Sequence, residues 1–139
     1  MDYVAGLMFS PDKRQLALVL KGKPAWQCGL FNAIGGKIEP GEDSATAMSR
    51  EFLEETGVYT TPEEWEYLTM LDGDFGQVTF FRMFDDRVTE VQTMEEEVIQ
   101  LVNPYELPMN IIGNIRWLVP LAMDLQTLAP RIIKHISYK

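Results

Sequence analysis

The stretch "GGKIEPGEDSATAMSREFLEETGV", Gly35 to Val58, carries six acidic residues and one arginine around a single short helix. Pro40-Gly41 is a turn signal, and Asp43 or Ser44 can cap a helix running from about Ala45 to Thr56. Gly57 stands where a C-terminal helix glycine is expected. On that helix Ala45, Met48 and Phe52 fall on one apolar face, and Glu51, Glu54 and Glu55 share another. Like charges at these spacings destabilise a helix by a few tenths of a kcal/mol per pair. Two of the acids also lie at the C-terminal end, where the helix dipole disfavours anions.

A bound divalent cation reverses both penalties. Carboxylates are hard oxygen donors suited to Mg²⁺ or Mn²⁺, and Mg²⁺ typically combines one or two of them with waters and substrate phosphate oxygens. Arg50 reaches Glu54 one turn on and can fix that carboxylate. Taken alone, the three acids also suit a solvated helix face with one Arg–Glu pair.

Working outward, "YVAGLMF", "QLALVLK", "WEYLTMLDG", "GQVTFFRMF" and "VIQLVN" read as strands. "WQCGLFNAIGG" is a mixed segment ending in a glycine pair, and Pro104 to Pro108 reads as a turn or short helical piece. A second helix is expected within "NIRWLVPLAMDLQTL", with Ile115, Leu118, Leu121, Ala122 and Leu125 at helical spacing and a kink or late start at Pro120. Strands mixed with two helices predict an α/β or α+β sandwich.

The 139 residues suit one domain, 1–139, and its 46% hydrophobic and 24% charged composition is that of a globular protein. No apolar run approaches the ~18 residues of a membrane span, and the N-terminus lacks a basic region ahead of its apolar stretch. The single Cys28 excludes an internal disulfide framework and fits a reducing, cytoplasmic setting; with the single His135 it also argues against structural zinc. A net charge of −9 argues against a DNA duplex as partner, because duplex binding draws on a basic face. Phosphates handled by so acidic a chain are expected to be met through metal ions.

Gly36, five residues, Glu42, seven residues, Arg50-Glu51, Phe52, one residue, Glu54-Glu55, one residue, Gly57-Val58: this spacing resembles the signature of the Nudix hydrolases at every fixed position. Phe52 is bulkier than the usual aliphatic residue. The resemblance implies an α/β/α sandwich around a mixed β-sheet and hydrolysis of a nucleoside diphosphate linked to a further group. It implies Glu51, Glu54 and Glu55 as Mg²⁺ ligands, with Mn²⁺ as substitute, and the Gly35 carbonyl as a further ligand. Arg50 would orient Glu51 or Glu54, and Glu42 would brace the loop–helix junction. The general base is a signature Glu or an acid on a later loop; Glu96, in the run Glu95-Glu96-Glu97, is the candidate, with a solvated turn as its other reading. Homodimers are common among such relatives.

Markers within the family narrow the substrate. The region of the ADP-ribose proline is held by Asp72 to Phe75, Pro62 comes too early, and the NADH and coenzyme A motifs are absent. "WQCGLFNAIGGKIEPGE" resembles mutator-type hydrolases of oxidised purine nucleotides, in which an aromatic-Asn pair, here Phe31-Asn32, precedes the glycines and the Asn reads the base. "NIRWLVPLAMD" resembles the same group's "PL" helix; Asn114 falls nearest the base-gripping acids, and Ile115 replaces the second, which argues against an 8-oxoguanine preference. Trp117 can stack on a base or pack at the rim, Trp26 can line the cleft mouth, and Trp65 reads as strand packing. Cys28 reads as a small core or near-cleft residue, and His135 as structural or solvated. The expected substrate is therefore a free nucleoside triphosphate, an oxidised purine deoxynucleotide among the candidates. ADP-ribose, a dinucleotide or a capped RNA end is the alternative, the last served by a basic patch of Arg82, Arg87, Arg131 and Lys134. A nucleotide-sensing module without turnover is a third reading, disfavoured by the complete acid set.

Overall fold

A computed structural model describes residues 1–74, 76–124 and 136–137. The strands are β1 (Asp2–Phe9), β2 (Leu16–Leu20), β3 (Phe31–Asn32), β4 (Ile34–Lys37), β5 (Glu66–Gly73), β6 (Gly76–Phe84), β7 (Val98–Val102) and β8 (Ile136–Ser137). Helices α1 (Ser44–Thr56) and α2 (Gly113–Met123) complete the fold, with short 3₁₀ turns at Ala25–Gln27, Pro62–Glu64 and Asp86–Glu90.

The sheet is mixed and divides at a corner where β1 and β2 touch, Phe9 opposite Leu16. Beyond it β1 runs parallel to β6 and antiparallel to β4, and β2 runs antiparallel to β3 and β7. Strand β1 is buried on both faces, as a strand between two layers must be. Ala5, Leu7 and Phe9 pack with Leu16, Leu18 and Phe80 beneath Ile115, Leu118, Val119 and Ala122 of α2. Val4 and Met8 pack with Ala17, Val19, Phe81 and Met83 beneath Met48 and Phe52 of α1. One helix thus covers each face, the α+β sandwich expected.

Asp43 supplies the α1 cap, accepting from the Thr46 N–H at 2.8 Å, and Gly57 ends the helix with φ 78°. Trp65 is buried, edge-on to Phe52, and its indole N–H donates to Thr60 at 2.9 Å.

Two expectations are corrected. Helix α2 does not start late: it begins at Gly113 and runs through Pro120. Pro120 lies on the exposed face with Gly113, Arg116 and Trp117, so the carbonyl deprived of its N–H partner can turn to water. Arg82 does not join a basic patch. It is buried between the sheet and α2, donates to the Ala122 and Asp124 carbonyls at 2.7 and 3.1 Å, lies 3.7 Å from Glu66, and covers the Phe84 ring. It satisfies carbonyls at the C-terminal end of α2, where the dipole favours a cation. Arg87 is likewise engaged, by Asp85, Glu64 and the Tyr59 carbonyl. Arg131, Lys134, His135 and Leu125 lie outside the described residues. Replacing Arg82 by Leu takes the side-chain donor from the buried Ala122 carbonyl, and urea unfolding is expected to show a loss of about 2 kcal/mol or more.

Candidate active site

Strand β4 places Gly35 and Gly36 opposite Ala5 and Val4 of β1. A Cβ on Gly35 would run into the Val4 carbonyl, and one on Gly36 would meet the Glu51 carboxylate. The glycine pair is therefore the bed on which Glu51 rests. No other residue fits there without displacing the strand or the acid.

Arg50 organises the rim. Its Nε and Nη2 donate to the two oxygens of Glu42 at 2.8 and 2.9 Å, a bidentate fork. Nη2 also donates to the Lys37 carbonyl at 3.0 Å, and Nη1 to Glu51 and Glu54 at 3.1 and 3.3 Å. Glu42 in turn accepts from the Glu39 N–H at 3.0 Å, closing the β4–α1 loop on itself. The Glu42 pairing, opposed by burial and reinforced by Glu51, holds the Arg50 pKa well above its usual range. Arg50 pulls the Glu42 carboxyl well below its own. An open cleft of about 810 Å³ is lined by Lys37, Glu39, Glu42, Arg50, Glu51 and Glu54 together with Met1 and Asp2.

The three helix acids differ sharply in environment. Glu54 is exposed, Glu51 is mostly covered, and Glu55 is buried. Burial pushes the Glu51 carboxyl upward against the pull of Arg50. Glu55 is pushed up to about 8, first by burial and then by the Glu51 charge. Its Oε2 is buried with no hydrogen-bond partner. Among the described residues, no three acidic, His or Cys side chains form a ready-made metal cluster, because Arg50 draws Glu51 and Glu54 toward the rim while Glu55 stays beneath. The donor chemistry still fits a hard divalent cation: Glu55 offers an unpaired buried oxygen, Glu51 and Glu54 carry carboxylates on the same helix face, and such a cation needs only one or two carboxylates alongside substrate oxygens.

Beside Glu96 the acidic run offers a second candidate, Glu95. Its charge raises both Glu51 and Glu55, and Glu97 adds to the effect at Glu55, whereas Glu96 lines a second cavity together with Glu97. The segment is pinned to the C-terminal end of α1, where the Gln92 N–H donates to the Thr56 carbonyl at 3.0 Å and the Met94 N–H to the Glu55 carbonyl at 3.3 Å. Three consecutive glutamates carry no periodic signal that would separate one from the next.

Of the residues expected near a base, Phe31 is a core residue, and its role is to place its neighbours. Its N–H donates to the Asn110 carbonyl at 2.8 Å and its carbonyl accepts from Ile112 at 3.0 Å, carrying the start of α2 to the end of β3. Asn32 donates to Gln27 at 3.1 Å and accepts from the Ala33 N–H at 2.7 Å. Asn114 has a buried Oδ1 without a partner. Trp117 and Trp26 are exposed. Cys28 is exposed too, correcting the core reading, and lines the second cavity.

A mixed sheet thus lies between two helices, with the Glu51 carboxylate set over a glycine pair. The NUDIX domain family model matches residues 2–125, and the chain belongs to the Nudix family as a hydrolase of phosphoric anhydride bonds. Members of this family generally use divalent cations and act on small nucleotide substrates. No curated protein matches the chain. A solved MutT chain, from an analysis of the Aliivibrio salmonicida and Vibrio cholerae proteins, is 25% identical, with TM-score 0.65, covering 85% of this chain and 93% of that one. The MutT Nudix hydrolase of Burkholderia pseudomallei superimposes with TM-score 0.69 over 88% and 99% of the two chains, and at 17% identity shows the fold alone. The MutT protein of Bacillus halodurans, 22% identical with TM-score 0.65 over 86% and 79%, does the same. No helix among the described residues is long and apolar enough to cross a membrane.

A carboxyl whose pKa rises on folding stabilises the fold while it is protonated. Glu55 contributes fully below its ordinary value of 4.5, and that contribution is lost as the pH climbs through about 8. In metal-free protein Glu55→Gln is therefore expected to stabilise by roughly 1 kcal/mol or more at pH 8. The gain should vanish near pH 4.5, as read by thermal unfolding at both pH values.

Proposed function

We propose that this chain is a Mg²⁺-dependent pyrophosphohydrolase that converts a nucleoside triphosphate to its monophosphate and pyrophosphate. The observation that carries this reading is the partnerless buried Oε2 of Glu55, crowded by Glu51 beside the Gly35-Gly36 bed. A folded protein leaves such an acid unsatisfied at a cost, and a cation with a phosphate tail supplies what it lacks.

In this reading Glu51, Glu54, Glu55 and the Gly35 carbonyl hold Mg²⁺, with Mn²⁺ as substitute. The metal, when bound, polarises phosphoryl oxygens, offsets leaving-group charge and acidifies water. Arg50, locked by Glu42, keeps Glu51 and Glu54 oriented toward the cleft. Glu95, held over the helix end by the Gln92 and Met94 backbone bonds, accepts the proton of the attacking water, taking the role first assigned to Glu96. To read a purine edge, Asn32 exchanges its Gln27 and Ala33 partners, and Asn114 uncovers its partnerless buried Oδ1. Asn32 precedes Gly35 by an extended stretch of roughly 10 Å, a span suited to a nucleoside between base and phosphates. Ile115 is fully buried in the core and cannot meet the base, which argues against an 8-oxoguanine preference.

The test is turnover of a panel of dNTPs, NTPs, 8-oxo-dGTP, ADP-ribose, NADH and a dinucleoside polyphosphate with Mg²⁺, resolving the phosphate products. Pyrophosphate release from triphosphates is expected, abolished by EDTA and reduced at least about a hundredfold in Glu54→Gln. Turnover of ADP-ribose or a dinucleotide alone would reassign the substrate, and binding without turnover would make the chain a sensor. Glu95→Gln should lower kcat about tenfold to a hundredfold, with Glu96→Gln within about twofold of wild type. The reverse ranking would return the base to Glu96.

A further inference from the structure

The segment that carries the acidic run is fastened to the fold at two places. At its start the Gln92 N–H donates to the Thr56 carbonyl at 3.0 Å and the Met94 N–H to the Glu55 carbonyl at 3.3 Å. Met94 also lies over the glycine that ends α1: a Cβ on Gly57 would sit 3.2 Å from its sulfur. Between these two residues the Thr93 hydroxyl accepts from the Ile99 N–H at 2.9 Å, tying the strap to β7.

The second fastening is Glu97. Its Oε1 accepts from the Lys21 ammonium at 2.9 Å, and its Oε2 accepts from the Gly22 N–H at 2.6 Å and the Lys23 N–H at 3.3 Å. Three consecutive residues of the loop leaving β2 thus aim their donors at one carboxylate. The Lys21 and Glu97 side chains are 21% and 19% exposed, which separates this pair from solvated surface pairs of little consequence. Burial pushes the Glu97 carboxyl up, and the Gly22 N–H and Lys21 outweigh it to hold the acid below its ordinary range.

Glu95 and Glu96 are suspended between these anchors. Three peptide steps separate Met94 from Glu97, roughly 10 Å at full extension, so two held ends leave little freedom between them. Among the described residues neither suspended carboxylate has a hydrogen bond or ion pair of its own. Their placement is therefore set by the backbone, and the backbone by its two ends. A group that takes a proton in catalysis must stand within hydrogen-bond reach of it, and a misplacement of about 1 Å can cost up to about a hundredfold in rate.

We infer that Glu97 is the positioning residue of the general base: its clasp on the Lys21–Lys23 loop fixes one end of the strap, as the Met94 N–H fixes the other, and so sets where Glu95 stands beside the end of α1. This rests on the reading above, in which Glu95 takes the proton of the attacking water. Glu97 is then neither metal ligand nor base, and it acts through the strap alone.

The test joins hydrogen exchange to a double-mutant cycle of wild type, Glu97→Ala, Glu95→Gln and the double variant, with Glu97→Gln as the conservative change. Each protein is first checked by thermal unfolding. Glu97→Ala should speed exchange at the Met94 amide about tenfold and leave the Ala47 amide, bonded to the Asp43 carbonyl at the start of α1, unchanged. On whichever substrate of the panel the wild type cleaves, Glu97→Ala should lower kcat about tenfold with KM within about threefold. Glu97→Gln keeps an oxygen for the loop N–H groups and should stay within about threefold of wild type. In the Glu95→Gln background, Glu97→Ala should cost no more than about a further twofold, because both changes strike one proton transfer. Effects that multiply, or a loss carried by KM, would overturn the proposal. So would Glu97→Gln as impaired as Glu97→Ala, an unaltered Met94 amide, or a loosened strap with normal kcat, which would make the clasp structural only. If Glu97→Ala does not fold, Glu97→Asp takes its place in the cycle, keeping the charge on a stem one methylene too short to span the loop. A wild type that cleaves only ADP-ribose or a dinucleotide would sink the triphosphate reading while the cycle still decides the inference. A wild type that cleaves nothing would sink both, and normal turnover with kcat indifferent to Glu97 would sink the inference alone.

Discussion

The bidentate pairing of Arg50 with Glu42 is the interaction on which the site depends. Glu42 closes the β4–α1 loop through the Glu39 N–H, and Arg50 spans from that loop to the Lys37 carbonyl and on to Glu51 and Glu54. One planar cation therefore sets the distance between the strand carrying the glycine pair and the helix carrying the acids. A lysine there could neutralise charge but could not form the fork, so loop and helix would no longer be held in one geometry. Arg50 relieves Glu51 and Glu54, and the buried Glu55 beneath them is not among its partners. Burial first, and the Glu51 charge second, leave Glu55 holding its proton toward neutral pH.

Much of this was legible from spacing. Asp43 before the helix, Gly57 after it, and Met48 and Phe52 on one face are local signals, and the local structure obeyed them. The apolar runs marked the strands because the central strands of this sandwich lie between two helices. Arg82 was not legible. Nothing within its strand distinguishes an exposed arginine from one whose donors meet carbonyls forty residues on, at Ala122 and Asp124. Pro120 left the start of α2 open for a related reason: its cost depends on whether the orphaned carbonyl faces water, which the helix period alone does not decide.

The acidic run shows the same limit at the site itself. Glu95, Glu96 and Glu97 are identical in chemistry and adjacent in sequence, yet they point to three environments. The strap from Gln92 to Glu97 is pinned at one end by the carbonyls closing α1 and at the other by the Lys21 loop. Those pins set where the Glu95 charge acts on Glu51 and leave Glu96 on the second cavity. Sequence spacing located the loop; long-range backbone bonds set the surroundings of each acid within it.

The fold of so acidic a chain also uses three of its arginines internally. Arg50 is consumed by the rim, Arg82 by the end of α2 and Arg87 by Asp85 and Glu64. Lys21 is paired with Glu97 at the start of β7. A metal held at α1, as proposed, would therefore be the cation that meets phosphates from the acid side. The β2–β7 pairing that brings Leu20 against Val98 fixes where the acidic run begins its strand, and so bears on the site from outside the helix that first draws attention to it.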